Sequence, residues 1–298
     1  DASTRPADAH IPNTFVLKRA VPIPSLNLTV EEYVHPGTGA QHLHLSSDSS
    51  ENVFMVALRT VPENSTGVAH ILEHTALCGS ERYPVRDPFF MMLRRSLNTF
   101  MNAFTSSDWT AYPFATQNRK DFGNLLDVYL DAVFFSRLDP LDFAQEGHRV
   151  EFENDDSTQP LVFKGVVFNE MKGAMSSTPS ILWDRLCHEL FPSNTYHFNS
   201  GGDPEHIPDL SYQELRDFYA EHYHPSNAIF LTFGDISAEA HQQIFEAQVL
   251  ERFEALERKI EVALETPFTT PVQATHPYAV DAEEGTEKKT LSLIHISE

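Results

Sequence analysis

Hydrophobic and polar residues follow two different periods along this chain, so the sequence predicts both strands and helices. Residues 52–61 and residues 228–234 are apolar runs of strand length, and both predict buried strands, the first of them buried on both faces. Over residues 122–135, apolar side chains recur at helical spacing, which predicts an amphipathic helix with one face on a core.

Local signals predict where several helices begin and end. Ser211 followed by Glu214 is the pattern of an N-terminal capping box and predicts a helix over residues 212–222. A further helix is predicted over residues 237–259, and Pro179 is predicted to interrupt a helical stretch, because proline lacks the N–H that a helix interior needs.

A hairpin is predicted near the N-terminus, with a turn at residues 36–39. Its return strand carries His42 and His44 on one face. Two such histidines can bind a metal, or they can be an ordinary surface pair. The lack of a nearby carboxylate or thiol favours the surface pair.

The residues that carry chemistry stand in the motif His-x-x-Glu-His at residues 70–74, the reverse order of the His-Glu-x-x-His zinc helix. On a helix, His70 and His74 lie one turn apart on one face, where both imidazoles can reach a single ion. Glu73 projects beside them and can act as a general base toward water. A structural zinc site needs no such base, so the spacing favours catalysis.

A catalytic zinc site commonly has three protein ligands, so a third donor is needed besides His70 and His74. We select Glu170, which stands among apolar residues on a predicted helix. A carboxylate in such surroundings is costly unless a cation compensates it.

Composition limits the partners of the chain. Its 298 residues carry a formal net charge of −22, with a pI near 5.0, and an acidic surface repels nucleic acids and anionic membranes. We therefore predict no nucleic-acid and no membrane partner. The acidic surface either serves solubility or recruits basic peptides, and composition alone favours solubility.

Cysteine usage and the N-terminus bear on the cellular compartment. Two cysteines, Cys78 and Cys187, are too few for a disulfide scaffold, which makes a reducing compartment the default. We interpret Cys78 as a buried free thiol, because a fourth protein ligand would close the open position of a catalytic zinc site. The first residues lack the pattern of a targeting segment. The bacterial cytoplasm is the predicted location, with the mitochondrial matrix as the alternative.

Four ordered motifs give the chain a resemblance to the pitrilysin/insulinase family of inverted-zincin metallopeptidases, and within it to the presequence-protease branch. The distance from His74 to Glu170 is the long spacing of that branch. The motifs are His-Ile-Leu-Glu-His at residues 70–74, the segment 75–89, Asn-Ala-Phe-Thr-Ser-Ser-Asp-Trp-Thr-Ala-Tyr at 102–112 and Asn-Glu-Met-Lys-Gly at 169–173.

The resemblance implies an α+β fold, in which a mixed, mainly antiparallel β-sheet packs against α-helices. It further implies one Zn²⁺ held by His70, His74 and Glu170, with Glu73 as the catalytic base. It implies an edge strand that pairs with extended peptide substrates, formed by Asn102, Ala103, Phe104 and Thr105. The activity it implies is that of a zinc metalloendopeptidase that hydrolyses unstructured peptides.

Alternatives stay open at this point. One is a non-catalytic member of the same fold that binds peptides or has a structural role, and another is a purely structural zinc. The intact His70, Glu73, His74 and Glu170 disfavour the first alternative. The presence of Glu73 and of just three ligands disfavours the second. The segment 102–112 can also be an ordinary core strand.

The resemblance also predicts the organisation of the chain. We expect an N-terminal arm over residues 1–14, the zinc-peptidase domain over 15–265, a linker over 266–277 and the start of a second domain over 278–290. The final residues, 291–298, match the translation of a transposase adapter used in sequencing libraries and are interpreted as an artefact. In the family a second half of the chain encloses the substrate, so the C-terminal half is a predicted partner, and low activity is predicted without it.

Overall fold

An eight-stranded mixed sheet is the largest feature of the structure, a computed structural model that describes residues 15–278. The strands of this sheet and of a separate two-stranded hairpin, β8–β9, are β1 (Val16–Ile23), β2 (Leu28–Val34), β3 (Gln41–Ser47), β4 (Asn52–Arg59), β5 (Asn98–Met101), β6 (Phe104–Thr105), β7 (Trp109–Thr116), β8 (Arg149–Phe152), β9 (Leu161–Lys164) and β10 (Ala228–Gly234).

The strand order across the large sheet is β1-β2-β3-β10-β4-β7-β5, and the short β6 pairs with β7. The β3–β10 pair is parallel, and the other pairs between these strands are antiparallel. The predicted α+β fold with a mixed, mainly antiparallel sheet is therefore confirmed.

Eight α-helices accompany the sheets within the described residues. They are α1 (Val68–Ala76), α2 (Pro88–Arg95), α3 (Arg119–Phe134), α4 (Pro140–Glu146), α5 (Val166–Ala174), α6 (Thr178–Leu190), α7 (Tyr212–His222) and α8 (Ala238–Gln248). Helix α3 packs on β4 and β7 and contacts α8, whereas α1 packs against α4, α7 and β6. None of the described helices is long and apolar enough to cross a membrane.

Strand β4 is buried on one face, contrary to the prediction that both of its faces are buried. Phe54, Val56 and Leu58 are fully buried, and the residues between them are partly exposed. The ring of Phe54 lies 5.4 Å from that of Phe114 on β7, so apolar contacts across the central strands form part of the core.

The surface interpretation of His42 and His44 is wrong. Each side chain is 1% exposed, and both rings bond to the hydroxyl of Thr232 on the neighbouring β10. The strand that buries them comes almost 190 residues later in the chain. For that reason the local pattern could not reveal their burial.

Two predicted helix boundaries need correction, and one is confirmed. Ser211 and Glu214 form the predicted capping box at the start of α7. Helix α8 ends at Gln248, well before residue 259. Pro179 lies in the first turn of α6 and does not interrupt a helix, because the first-turn N–H groups have no partner within the helix in any case.

After the last helix, residues 253–278 form neither helix nor strand. The predicted linker, 266–277, lies in this stretch. The predicted arm, the adapter-like residues 291–298 and all but residue 278 of the predicted second-domain start lie outside the described residues.

Candidate metal centre

Helix α1 carries the His-x-x-Glu-His motif on one face. The helix begins after Gly67, whose φ of 72° lies in the left-handed region that glycine adopts without strain. Most of its other side chains are buried in the core, which fixes the rotation of the helix. The rings of His70 and His74 consequently lie together, with 5.1 Å between their centroids.

Helix α5 brings Glu170 to the same place. Its Oε2 atom lies 3.8 Å from His70 Nε2 and 3.9 Å from His74 Nε2. Within residues 15–278, this is the single group of three His, Cys, Asp or Glu side chains whose donor atoms all lie within 4.8 Å of one another. The structure therefore brings together the three residues that the sequence selected as ligands.

The surroundings of Glu170 differ from the expectation. Its side chain is 54% exposed, against 12% for His70 and 24% for His74. The apolar neighbours of Glu170 in the sequence point elsewhere on α5, where Val167 and Phe168 are buried. The cost of burying a carboxylate therefore does not explain why Glu170 stands here. Its position close to both histidines agrees with the expectation.

Each histidine uses its other ring nitrogen for a hydrogen bond within the protein. His70 Nδ1 lies 2.9 Å from the carbonyl oxygen of Gly201, and His74 Nδ1 lies 3.1 Å from Glu146 Oε2. These contacts leave the two Nε2 atoms turned toward Glu170. Such outer hydrogen bonds are common on histidines that bind metals.

The three donors fit a zinc ion. Two imidazole nitrogens and a carboxylate oxygen are ligands that zinc accepts, and a tetrahedral site with bonds of about 2.0–2.2 Å places its donors about 3.4 Å apart. The observed separations of 3.8 and 3.9 Å are slightly larger than this value. A small adjustment of the side chains would close the difference. One ligand position would stay open for water or substrate, as in catalytic sites.

Negative charge dominates the electrostatics of the site. Burial disfavours the charged ring of His74, but the hydrogen bond to Glu146 and the charges of Glu73, Glu146 and Glu170 outweigh it and raise the pKa of His74 above its ordinary value. The three carboxylates around the two imidazoles attract a cation.

Glu73 lies on the same face of α1 and is only 8% exposed. Its Oε2 atom accepts a hydrogen bond from the hydroxyl of Thr105 on β6. The carboxylate is thereby held between the histidine pair and the sheet edge.

Residues Asn102 to Thr105 lie at this sheet edge. Phe104 pairs with Ala111 and Thr105 with Thr110 on β7, and no described strand pairs with the opposite side of β6. The Ala103 N–H bonds to Oδ1 of the adjacent Asn102. The segment is therefore an edge strand next to α1, and not a strand in the middle of the sheet.

A cavity of about 270 Å³ opens beside Glu73 and His74. Apolar side chains dominate its wall, namely Leu77, Phe89, Phe90, Leu93 and Met101. Phe90 and Leu93 are 55% and 41% exposed, so the wall formed by α2 is accessible from solvent.

Cys78 also lines this cavity as a free thiol, and it is 6% exposed. Burial, together with the nearby carboxylates, raises the pKa of the thiol and keeps it protonated. The thiol also does not belong to the group of donor atoms formed by His70, His74 and Glu170. The interpretation of Cys78 as a buried free thiol is confirmed.

Sequence reasoning missed Glu146 and Gly201. Both lie far from the motif in the chain, 72 and 131 residues from their histidine partners. An acidic residue at the end of a short helix and a glycine in a Gly-Gly pair are common, so neither carries a recognisable signal.

Comparison with known proteins shows which family shares these features. Residues 59–178 match the family described as Insulinase (Peptidase family M16), and residues 209–294 match the one described as Peptidase M16 inactive domain. The first match includes both histidines, Glu73 and Glu170.

Curated relatives are similar over most of this chain. The presequence protease, mitochondrial, of Danio rerio is 54% identical over 260 residues, which is 87% of this chain and 25% of the relative. The protein of the same name from Mus musculus is 52% identical over 258 residues, which is 86% of this chain and 25% of the relative. The chain thus spans about a quarter of the length of these relatives.

Solved structures share the fold at low sequence identity. A protease from Helicobacter pylori superimposes with a TM-score of 0.62 at 20% identity, covering 80% of this chain and 53% of the other. Pitrilysin superimposes with a TM-score of 0.60 at 19% identity, covering 80% of this chain and 25% of the other.

These comparisons correct one prediction and establish the family. The predicted bacterial cytoplasmic location is wrong, because similar curated proteins from fish, mouse and the fungus Gibberella zeae are all named mitochondrial. From the two family matches and the identity of about one half to these relatives, the chain belongs to the pitrilysin/insulinase peptidase family, in its presequence-protease branch.

Proposed function

We propose that this chain forms the catalytic part of a zinc-dependent metalloendopeptidase that hydrolyses unstructured peptides. The observation that carries the proposal is the approach of His70 Nε2 and His74 Nε2 to Glu170 Oε2, with Glu73 on the same helix face. Three donors and a separate carboxylate base are the groups that metal-assisted peptide hydrolysis requires.

His70, His74 and Glu170 would hold the zinc ion. When bound there, zinc supplies Lewis acidity, which polarises a carbonyl group and lowers the pKa of water. Glu73 acts as the general base: it removes a proton from the attacking water and then delivers that proton to the leaving amine. Its hydrogen bond with Thr105 keeps the carboxylate in place for both transfers.

The edge strand β6 would bind the substrate in an extended conformation. Backbone hydrogen bonds form with any sequence, so this mode favours unstructured peptides with little selectivity. A peptide carbonyl would compete with Asn102 Oδ1 for the Ala103 N–H. The neighbouring apolar cavity would receive one side chain of the substrate and provide the limited selectivity.

The names of the relatives support a targeting-peptide substrate and a mitochondrial setting, since they are called mitochondrial presequence proteases. The matching region is about a quarter of each relative. We infer that the remainder of such a chain closes over the bound peptide, and that residues 15–278 without it bind zinc but turn over substrate slowly.

The test is Glu73→Gln in the full-length protein. We expect a bound zinc content equal to that of the parent protein, and cleavage of an unstructured fluorogenic peptide reduced by about 10²- to 10⁴-fold, the usual contribution of a general base. Glu239→Gln on the exposed face of α8 is the matched control and should leave both unchanged. Full peptide cleavage by Glu73→Gln would refute the assignment of the base.

A second variant tests the metal ligands. Glu170→Ala should lower both the zinc content and the rate of cleavage, because it removes one of the three donors. A variant that keeps its zinc would contradict the assignment of Glu170 as a ligand.

A further inference from the structure

The hydrogen bond between His70 and Gly201 determines which nitrogen of the His70 ring carries the proton. A backbone carbonyl can only accept, so His70 Nδ1, at 2.9 Å, must donate an N–H. In the neutral ring, Nε2 then has a free lone pair. This atom is the one that faces Glu170.

His74 reaches the same state through a different partner. Its Nδ1 atom lies 3.1 Å from Oε2 of Glu146, a carboxylate with a side chain only 10% exposed. An ionised carboxylate also only accepts, so Nδ1 of His74 carries the hydrogen. In the neutral ring, Nε2 then keeps the lone pair that can bind a metal ion. Gln145 bonds to the other oxygen of Glu146 and restrains the carboxylate.

Glycine residues allow the Gly201 carbonyl to approach α1. A Cβ atom on Gly67 would lie 2.9 Å from the Gly201 oxygen and 2.9 Å from the Gly202 Cα, closer than such atoms normally come. The loop is further held by Ser65, whose hydroxyl accepts from the Asn199 N–H and whose carbonyl accepts from the Asp203 N–H. The position of the Gly201 oxygen is therefore built into the backbone.

We propose that Glu146 and the Gly201 carbonyl are positioning groups that hold His74 and His70 as the Nδ1–H tautomer before any metal arrives. The part of this inference that concerns zinc rests on the proposed function. The tautomers themselves are a property of the metal-free chain. In their neutral forms, both rings are thus prepared to bind a cation through Nε2, without a change of tautomer or a ring flip.

Nitrogen-15 NMR of the metal-free, full-length protein measures the tautomers directly, at a pH chosen so that the nitrogen-15 shifts themselves show both rings to be neutral. We expect the Nδ1–H form to predominate at both histidines. A predominant Nε2–H form at either ring would overturn the inference for that ring. This result does not depend on whether the protein cleaves peptides.

Variants of Glu146 separate positioning from packing. Glu146→Leu keeps the apolar contacts of the side chain but offers no acceptor, so His74 should lose its Nδ1–H preference while His70 keeps it as an internal control. Zinc affinity, measured by competition with a chelator, should fall by about 10- to 100-fold. Glu146→Gln retains an acceptor oxygen and should restore most of both properties. Equal tautomers and equal zinc affinity in all three proteins would refute the role of Glu146.

Gly67→Ala tests the other ring. The new methyl group should displace the Gly201 carbonyl, and His70, but not His74, should lose its tautomer preference. Gly123→Ala is the matched control, since a Cβ there meets no atom within 4 Å. If Gly67→Ala fails to fold, the NMR result on the parent protein still decides the assignment for His70. A parent protein that shows the predicted tautomers but binds no zinc would contradict the proposed function and leave this inference intact.

Discussion

The hydroxyl of Thr105 donates a hydrogen bond to the carboxylate of Glu73, and this bond connects the edge strand β6 with the helix α1. The residue proposed to hold the substrate is thus in contact with the residue proposed to act as base. A peptide that pairs with this edge strand would affect the orientation of the Glu73 carboxylate through this hydrogen bond.

Thr105→Val should therefore lower kcat for peptide cleavage. A hydrogen bond to a charged group contributes about 1.5–3 kcal/mol, which corresponds to roughly 10- to 100-fold in rate if it is needed to orient the base. Thr105→Ser keeps the hydroxyl and should retain activity. Steady-state kinetics on one peptide would decide, and equal kcat values for the two variants would contradict the orienting role.

The cavity beside Glu73 should select the side chain of the substrate. Leu93→Trp fills part of its 270 Å³, and because Leu93 is 41% exposed the larger ring can be accommodated without strain in the core. We expect kcat/KM for a peptide with a large apolar residue at the cleavage site to fall by about tenfold relative to one with alanine. Paired peptide assays give this ratio. An unchanged ratio would place the selective pocket elsewhere.

The histidine cluster between β3, β10 and α8 should make the fold sensitive to acid. Burial lowers the pKa of His241 to about 3 and also lowers that of His42. Burial likewise lowers the pKa of His44, against the charge of Glu31. As the pH falls, these histidines therefore bind protons in the unfolded state before they bind them in the folded state.

The sign of the effect follows from this difference. Above about pH 6.5 these histidines are neutral in both the folded and the unfolded chain. Below that pH they take up protons first in the unfolded chain. The free energy of unfolding therefore falls by up to about 1.4 kcal/mol per pH unit for each such histidine. The loss from His241 continues down to its folded pKa of about 3. His241→Leu should give a shallower decline in urea titrations, whereas His276→Gln, at a more exposed position, should match the parent protein. A parallel decline in His241→Leu would contradict the assignment.

The capping box of α7 offers a test of local stability. Ser211→Ala removes the hydroxyl that accepts the Glu214 N–H and should cost about 1 kcal/mol of unfolding free energy. Ser50→Ala at an exposed position is the control. Thermal and urea unfolding would measure both, and a loss in Ser211→Ala no larger than in the control would argue that the cap contributes nothing.

The predictable features are those encoded within one element. The capping box at Ser211 and the strand β10 were readable because neighbouring residues determine them. His70, Glu73 and His74 were readable because helical spacing places them on one face. Glu170 came from its surroundings and from the family resemblance, and the structure brings it to the same point although its predicted desolvation is absent.

Features that depend on distant partners were not readable. The acceptors for the two histidines come from α4 and from a loop that follows α6, and neither leaves a pattern near the motif. The burial of His42 and His44 depends on the insertion of β10 beside β3. The early end of α8 at Gln248 was also missed, because the apolar pattern continues beyond the last helical turn.

The position of β10 has a consequence for how the protein is made. Strands β3 and β4 follow each other in the chain, yet β10 lies between them, pairing with one in parallel and with the other antiparallel. Until Gly234 has left the ribosome, the centre of the sheet is a gap bordered by two unpaired strand edges. Such edges are templates for pairing with other chains. A nascent chain of this protein therefore exposes the edges of β3 and β4 until β10 has been synthesised and inserted between them.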